Sequence, residues 1–181
     1  MTTRGSKPTA KAMTQREKRI YDFLNRMGVG VLASVSPNNE PHATVIYFVI
    51  EPNFLIRFLT KTGTKKYENI LKNKRVTLAV FEAKTQSVVQ VYGEAMELKN
   101  AQQINEVADA VNGVSNQTAA GNDMPIAKLD AGEFAAFQII PKQINMASYA
   151  RRTSSDHSRM FDSIESFELE PTDKGPGSGP R

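Results

Sequence analysis

The feature that most constrains this chain is a succession of period-2 segments joined by turns too short to hold a helix. Val29 to Ser36 alternates as a strand, and Pro37-Asn38-Asn39-Glu40-Pro41 follows as a turn of residues suited to tight backbones. His42 to Ile50 is the next strand. Glu51-Pro52-Asn53 leads into a third, where Phe54, Ile56 and Phe58 alternate with Leu55, Arg57 and Leu59. Parallel strands need crossovers of about a dozen residues or more. Turns this short predict an antiparallel meander instead of a doubly wound sheet. The second strand is apolar on both faces, which predicts burial on both sides, as in a barrel wall beneath a dimer interface.

The third strand opens a stretch, Phe54 to Phe81, that reads as strand, basic turn, short helix, strand. After Leu59 the chain turns polar at Thr60-Lys61-Thr62-Gly63-Thr64-Lys65-Lys66. Tyr67, Ile70 and Leu71 follow at helical spacing, Asn73 is a helix stop, and Val76, Leu78 and Val80 resume a strand. Thr64 stands where an N-cap belongs. A helix start exposes free N–H groups and the positive end of the dipole, which together favour an anion. Lys65 and Lys66 in the first turn oppose that dipole, so helix propensity does not explain them. A bound phosphate does. A solvated basic turn is the alternative.

Composition narrows the chemistry. Of 181 residues, 40% are hydrophobic and 23% charged, as in an ordinary soluble domain. Cysteine is absent, which removes disulfides, thiolate metal sites and thiol catalysis. The only imidazoles, His42 and His157, have no second ligand at helical spacing, so no metal centre is expected. No P-loop, G-x-G-x-x-G or nucleophile elbow is present. The net charge of +4 traces to the N-terminus, where Arg4, Lys7, Lys11, Arg16, Lys18 and Arg19 face a single Glu17. No nucleic-acid motif accompanies that basic arm, so nucleic-acid binding is not expected. No apolar run approaches the roughly 20 residues of a membrane span, and the first residues lack an apolar signal core. The expected location is cytoplasmic.

Residues 1–13 are aperiodic and predict a disordered arm. Thr14 and Glu17 form a capping box for a helix carrying Ile20, Phe23, Leu24 and Met27, closed by Gly28. Gln86 to Leu98 reads as a long strand with a bulge or bend at Gly93. Asn100 caps a helix bearing Ile104, Val107, Ala108 and Val111, with Gly113 as its stop. Residues 113–132 read as a long loop. Phe134 to Ile140 and Gln143 to Tyr149 read as two strands divided at Pro141. The folded domain is thus expected over 14–150, followed by an extension, 151–181. In it Phe161, Ile164 and Phe167 allow a short helical or docking segment, and disorder begins at about Pro171.

The central stretch resembles the phosphate-gripping part of the pyridoxamine 5′-phosphate oxidase-like family. Members carry a strand ending in Thr, a spacer, Ser/Thr-Arg/Lys-Lys opening a helix, then Asn before the next strand. Thr60, Thr64-Lys65-Lys66, Asn73 and Val76 stand in that order without a gap, and weaker similarity runs from Gln15 to Tyr149. The resemblance implies a mainly β protein, a six- or seven-stranded antiparallel split barrel with peripheral helices. It also implies a homodimer holding flavin mononucleotide (FMN) at its interface.

By the same resemblance, Thr60, Thr64, Lys65 and Lys66 hold the phosphate, with Leu59 just before them. The family's charged positions on the second strand fall near Thr44 and Val49, so backbone contacts from Thr44, Val45, Ile46 and Tyr47 must serve instead. A family Gln on the fifth strand falls on Val88, flanked by Gln86 and Gln90, of which Gln90 is the candidate. The Trp- and Arg-bearing C-terminal segment of true pyridoxamine-phosphate oxidases is missing: there is no Trp, and Arg151-Arg152 precedes a polar tail. The implied function is a flavin-dependent oxidoreductase of unknown small-molecule substrate and electron donor, other than that oxidase. Alternatives are a non-catalytic flavin or haem-binding protein and a reductase using the deazaflavin F420.

Overall fold

The computed structural model of the protein describes residues 13–118, 133–149, 158 and 160–169. The expectations for the arm before Met13, for 119–132, for Arg151-Arg152 and for the tail from Pro171 lie outside the described residues.

Helix α1 (Gln15–Met27) starts at the Thr14–Glu17 capping box, both of whose bonds are present. It ends at Gly28, whose φ of 59° is the left-handed cap that glycine adopts without strain. Ile20, Phe23 and Leu24 are buried against the barrel. Strands β1 (Val29–Val35), β2 (Pro41–Ile50) and β3 (Ile56–Lys61) form the meander. Helix α2 (Lys65–Lys72) then leads to β4 (Arg75–Glu82) and β5 (Ser87–Glu97). Helix α3 (Ala101–Thr118), β6 (Phe134–Tyr149) and β7 (Phe161–Glu168) complete the order.

All strands join one antiparallel sheet in the order β3-β2-β1-β4-β5-β6-β7, and a β3–β6 pairing closes six of them into a barrel. The inward positions of each strand fill it: Phe48, Phe58, Phe137, Leu32, Leu78 and Ile139 are all at most 1% exposed. Phe58 and Phe137 stack at 5.5 Å between centroids.

The described chain corrects three expectations. The two strands divided at Pro141 are one strand of 16 residues, β6. Its first part pairs with β3 and its last part with β7, while β5 follows it along the other edge. The register with β5 shifts between Tyr92 and Gly93, opposite Pro141, and a bulge is where a strand tolerates proline. A Cβ on Gly93 would stand 2.4 Å from the Ile140 carbonyl oxygen, so only glycine lets the strands close there. Second, Phe161–Phe167 is neither helical nor a loose docking segment but strand β7, made by the free edge of β6. Third, α3 runs through Gly113 to Thr118, so 113–118 is not loop. Its buried face simply continues from Val107 and Val111 to Ser115. One chain does not by itself cover both faces of β2. Ile46, Phe48 and Ile50 are buried inside and α3 packs on Tyr47 and Val49, yet Val45 is 61% exposed.

Candidate functional site

The β2–β3 ladder holds for three pairs only, Phe48↔Phe58, Val49↔Arg57 and Ile50↔Ile56. Beyond them the two strands part. β3 continues along β6, pairing Leu59↔Ala136, Thr60↔Ala135 and Lys61↔Phe134, while β2 continues along β1. Residues 44–47 and 59–61 are therefore the two lips of a split in the barrel wall, and α2 begins at the end of the second lip.

That corner is built by hydroxyls. Thr64 Oγ1 donates to the Lys61 carbonyl at 2.8 Å, accepts from the Tyr67 N–H at 3.4 Å, and lies 3.0 Å from Thr60 Oγ1. One donor and two acceptor sites are then filled, so Thr64 is spent on the cap. Thr60 is fully buried, and its hydroxyl supports Thr64 from below. The groups left facing outwards are the first N–H groups of α2, which have no partner within the helix, and the Lys65 and Lys66 ammoniums. Lys65 is exposed. Lys66 is half-buried, and burial pushes its pKa below the usual lysine value. Neither lysine has a carboxylate partner among the described residues. Two unneutralised cations at a helix start fit a phosphate monoester.

The other predicted residues divide between the lips and the barrel's outer face. Leu59 is buried beneath α3 with Tyr47 beside it, Ile46 is in the core, and Thr44 donates a long 3.5 Å bond to the Val45 carbonyl. Val45 is the one of these side chains that is exposed, so along the split the others bring backbone and Val45 brings apolar surface. Gln90 is not with them. Val45, Val31, Ala79 and Gln90 form one cross-strand row, which sets Gln90 three strand spacings, about 14 Å, from Val45. It accepts a hydrogen bond from the Tyr92 hydroxyl at 3.1 Å. Within one chain it faces the same open surface as Val31 and Phe81, which are 41% and 51% exposed.

Two residues of the corner escaped the sequence reading. Lys61 is 9% exposed, with its ammonium 5.5 Å from the Phe134 ring. Only the β3–β6 register brings that ring to it. Asn69, buried in α2, donates to Ser34 of β1 at 3.2 Å. An asparagine inside an eight-residue helix was the available signal.

A family model described as pyridoxamine 5′-phosphate oxidase matches residues 17–147. The chain belongs to the pyridoxamine 5′-phosphate oxidase family. Solved structures share the split-barrel fold. A pyridoxamine 5′-phosphate oxidase-related, FMN binding protein from Nostoc punctiforme is 16% identical, with 89% of this chain and 100% of that one covered and a TM-score of 0.55. A heme binding protein from Mycobacterium smegmatis is 13% identical, with 87% of this chain and 60% of that one covered and a TM-score of 0.58. An F420 reductase is 20% identical, with 68% and 93% covered and a TM-score of 0.55. No curated protein matches the chain. At these identities the likeness establishes the fold, and relatives within this family fold bind different cofactors. No helix among the described residues is long and apolar enough to cross a membrane.

Proposed function

We propose that this family member is an FMN-binding flavoprotein, a cytoplasmic homodimer acting as a flavin-dependent oxidoreductase on a small molecule. The observation that carries this reading is the corner at the split: two lysines without a carboxylate partner among the described residues and the open start of α2, beside a lip that offers mainly backbone and apolar surface. A phosphate takes the first and a flat ring system suits the second. Bound flavin supplies the redox chemistry. The chain's part is to grip the phosphate with Lys65 and Lys66, to hold their helix through Thr60 and Thr64, and to offer the ring the backbone of residues 44–47 and the exposed Val45 side chain.

A second copy completes the site in this reading. The row from Val45 to Gln90 lies on an apolar outer face, and a partner packed there would bring its own Gln90 towards the split. Purification without added cofactor, followed by absorbance and mass of the extracted chromophore, tests the proposal. The expected result is a flavin spectrum and the mass of FMN. A Soret band with haem, or the mass of F420, would replace FMN by that cofactor. Reduction of the bound flavin by a nicotinamide donor separates an oxidoreductase from a flavin carrier.

A further inference from the structure

Helix α2 has eight residues, about 12 Å of length, too short to hold its shape or direction unaided. The barrel must therefore set both. Its start is tied to β3 through Thr64, which donates to the Lys61 carbonyl and meets Thr60. Its middle rests on apolar contacts: Ile70 is 1% exposed, and Tyr67 meets the edge of Phe137 at 5.9 Å between centroids. Apolar contacts hold a helix down but are non-directional, so they leave its rotation weakly defined. Among the described residues, one directional bond remains. Asn69 Nδ2 donates to Ser34 Oγ at 3.2 Å, and the two residues are 5% and 3% exposed.

The placement of that bond matters. Ser34 belongs to β1, which lies two strands from β3 in the sheet, so α2 is pinned at two well-separated points. Asn69 follows Lys66 by three residues and Lys65 by four, which puts all three on neighbouring positions of one helix face. The bond that fixes the azimuth of Asn69 fixes theirs. A rotation of about 20° moves a side-chain tip about 6 Å from the axis by about 2 Å. That is enough to take an ammonium out of hydrogen-bond range of a phosphate oxygen.

We propose that the Asn69–Ser34 hydrogen bond is the positioning contact of the phosphate site, setting the rotation of α2 so that Lys65 and Lys66 face the split. The inference rests on reading that split as the seat of a flavin phosphate. Neither residue touches the ligand; both act through the helix.

The test is titration of FMN and of riboflavin, which lacks the phosphate, into wild type, Ser34→Ala and Ser34→Thr. All are measured well below their melting temperatures, with the fold checked by circular dichroism. Wild type prefers FMN. Ser34→Ala is expected to lose about tenfold in FMN affinity while riboflavin is unchanged, and Ser34→Thr, which keeps the hydroxyl, retains the preference. Should Ser34→Ala fold poorly, Ser34→Ala with Asn69→Leu leaves no buried donor unpaired and carries the same expectation. A full FMN preference without the bond, or a parallel loss for both ligands, overturns the positioning role. A wild type that binds both flavins equally overturns the phosphate reading itself, and this inference with it.

Discussion

Burial lowers the proton affinity of Lys66, and no carboxylate among the described residues offsets it. In the free protein the unfolded chain therefore holds the Lys66 proton more tightly than the folded one. Stability of the unliganded protein should rise with pH from the depressed pKa of Lys66 to its ordinary value of 10.5. Binding of the proposed flavin phosphate should have the opposite slope there, because a phosphate needs the charged form. Lys66→Met separates the two effects. It should raise the melting temperature of the free protein by about 1–2 °C, since solvent screens a half-buried ammonium and about 1 kcal/mol corresponds to about 2–4 °C at this size. The same substitution should weaken FMN. Calorimetry of the free protein beside an FMN titration checks both signs.

Among the elements, those whose ends are written locally were legible in the sequence. Thr64 caps α2, the Thr14–Glu17 box starts α1, and Gly28 ends it, because each bond spans four residues or fewer. What depended on distant partners was not. Phe161, Ile164 and Phe167 sit three apart, a helical spacing, and became strand because β6 offers a free edge. Pro141 looked like a break, yet the opposing bulge absorbs it. Gly113 looked like a stop because glycine ends many helices, but the buried face carries α3 past it. The two glycines give opposite predictions. Gly28 has a φ of 59°, and an added Cβ would stand 2.3 Å from Val114 Cγ1, so Gly28→Ala should cost about 1–3 kcal/mol. Around Gly113 an added Cβ meets nothing within 4 Å, so Gly113→Ala should stabilise by about 0.5–1 kcal/mol. Urea unfolding of both variants measures the contrast.

For the whole molecule, the closed barrel follows from the β3–β6 pairing, which joins the two ends of a six-strand run and leaves β7 outside it; the antiparallel character was legible in the short turns of the first three strands. The turn-and-cap geometry of the corner proposed to take a phosphate was legible for the same reason as the caps: Thr60 to Lys66 are consecutive. The place of Gln90 was not, because it depends on the strand order between β2 and β5. The outer face it shares with Val31, Val45 and Phe81 is the surface a second copy would cover. Light scattering at micromolar concentration should show a dimer. Val31→Glu places a charge in the middle of that face, outside the candidate site, and should yield a folded monomer with weakened FMN binding. A monomeric wild type would remove the composite site.

The central claim, that Lys65 and Lys66 hold a flavin phosphate, is tested most directly by titrating FMN and riboflavin into wild type and the Lys65→Ala/Lys66→Ala variant at low and high salt. Each charge-assisted hydrogen bond contributes about 1.5–3 kcal/mol, and the two together are not additive. FMN affinity should fall roughly tenfold to a thousandfold, at about 1.4 kcal/mol per decade. The loss should shrink at high salt, where the charges are screened, and riboflavin should be almost unaffected. Equal losses for both flavins would make the lysines structural, and no loss for either would place the phosphate elsewhere; both results contradict the account.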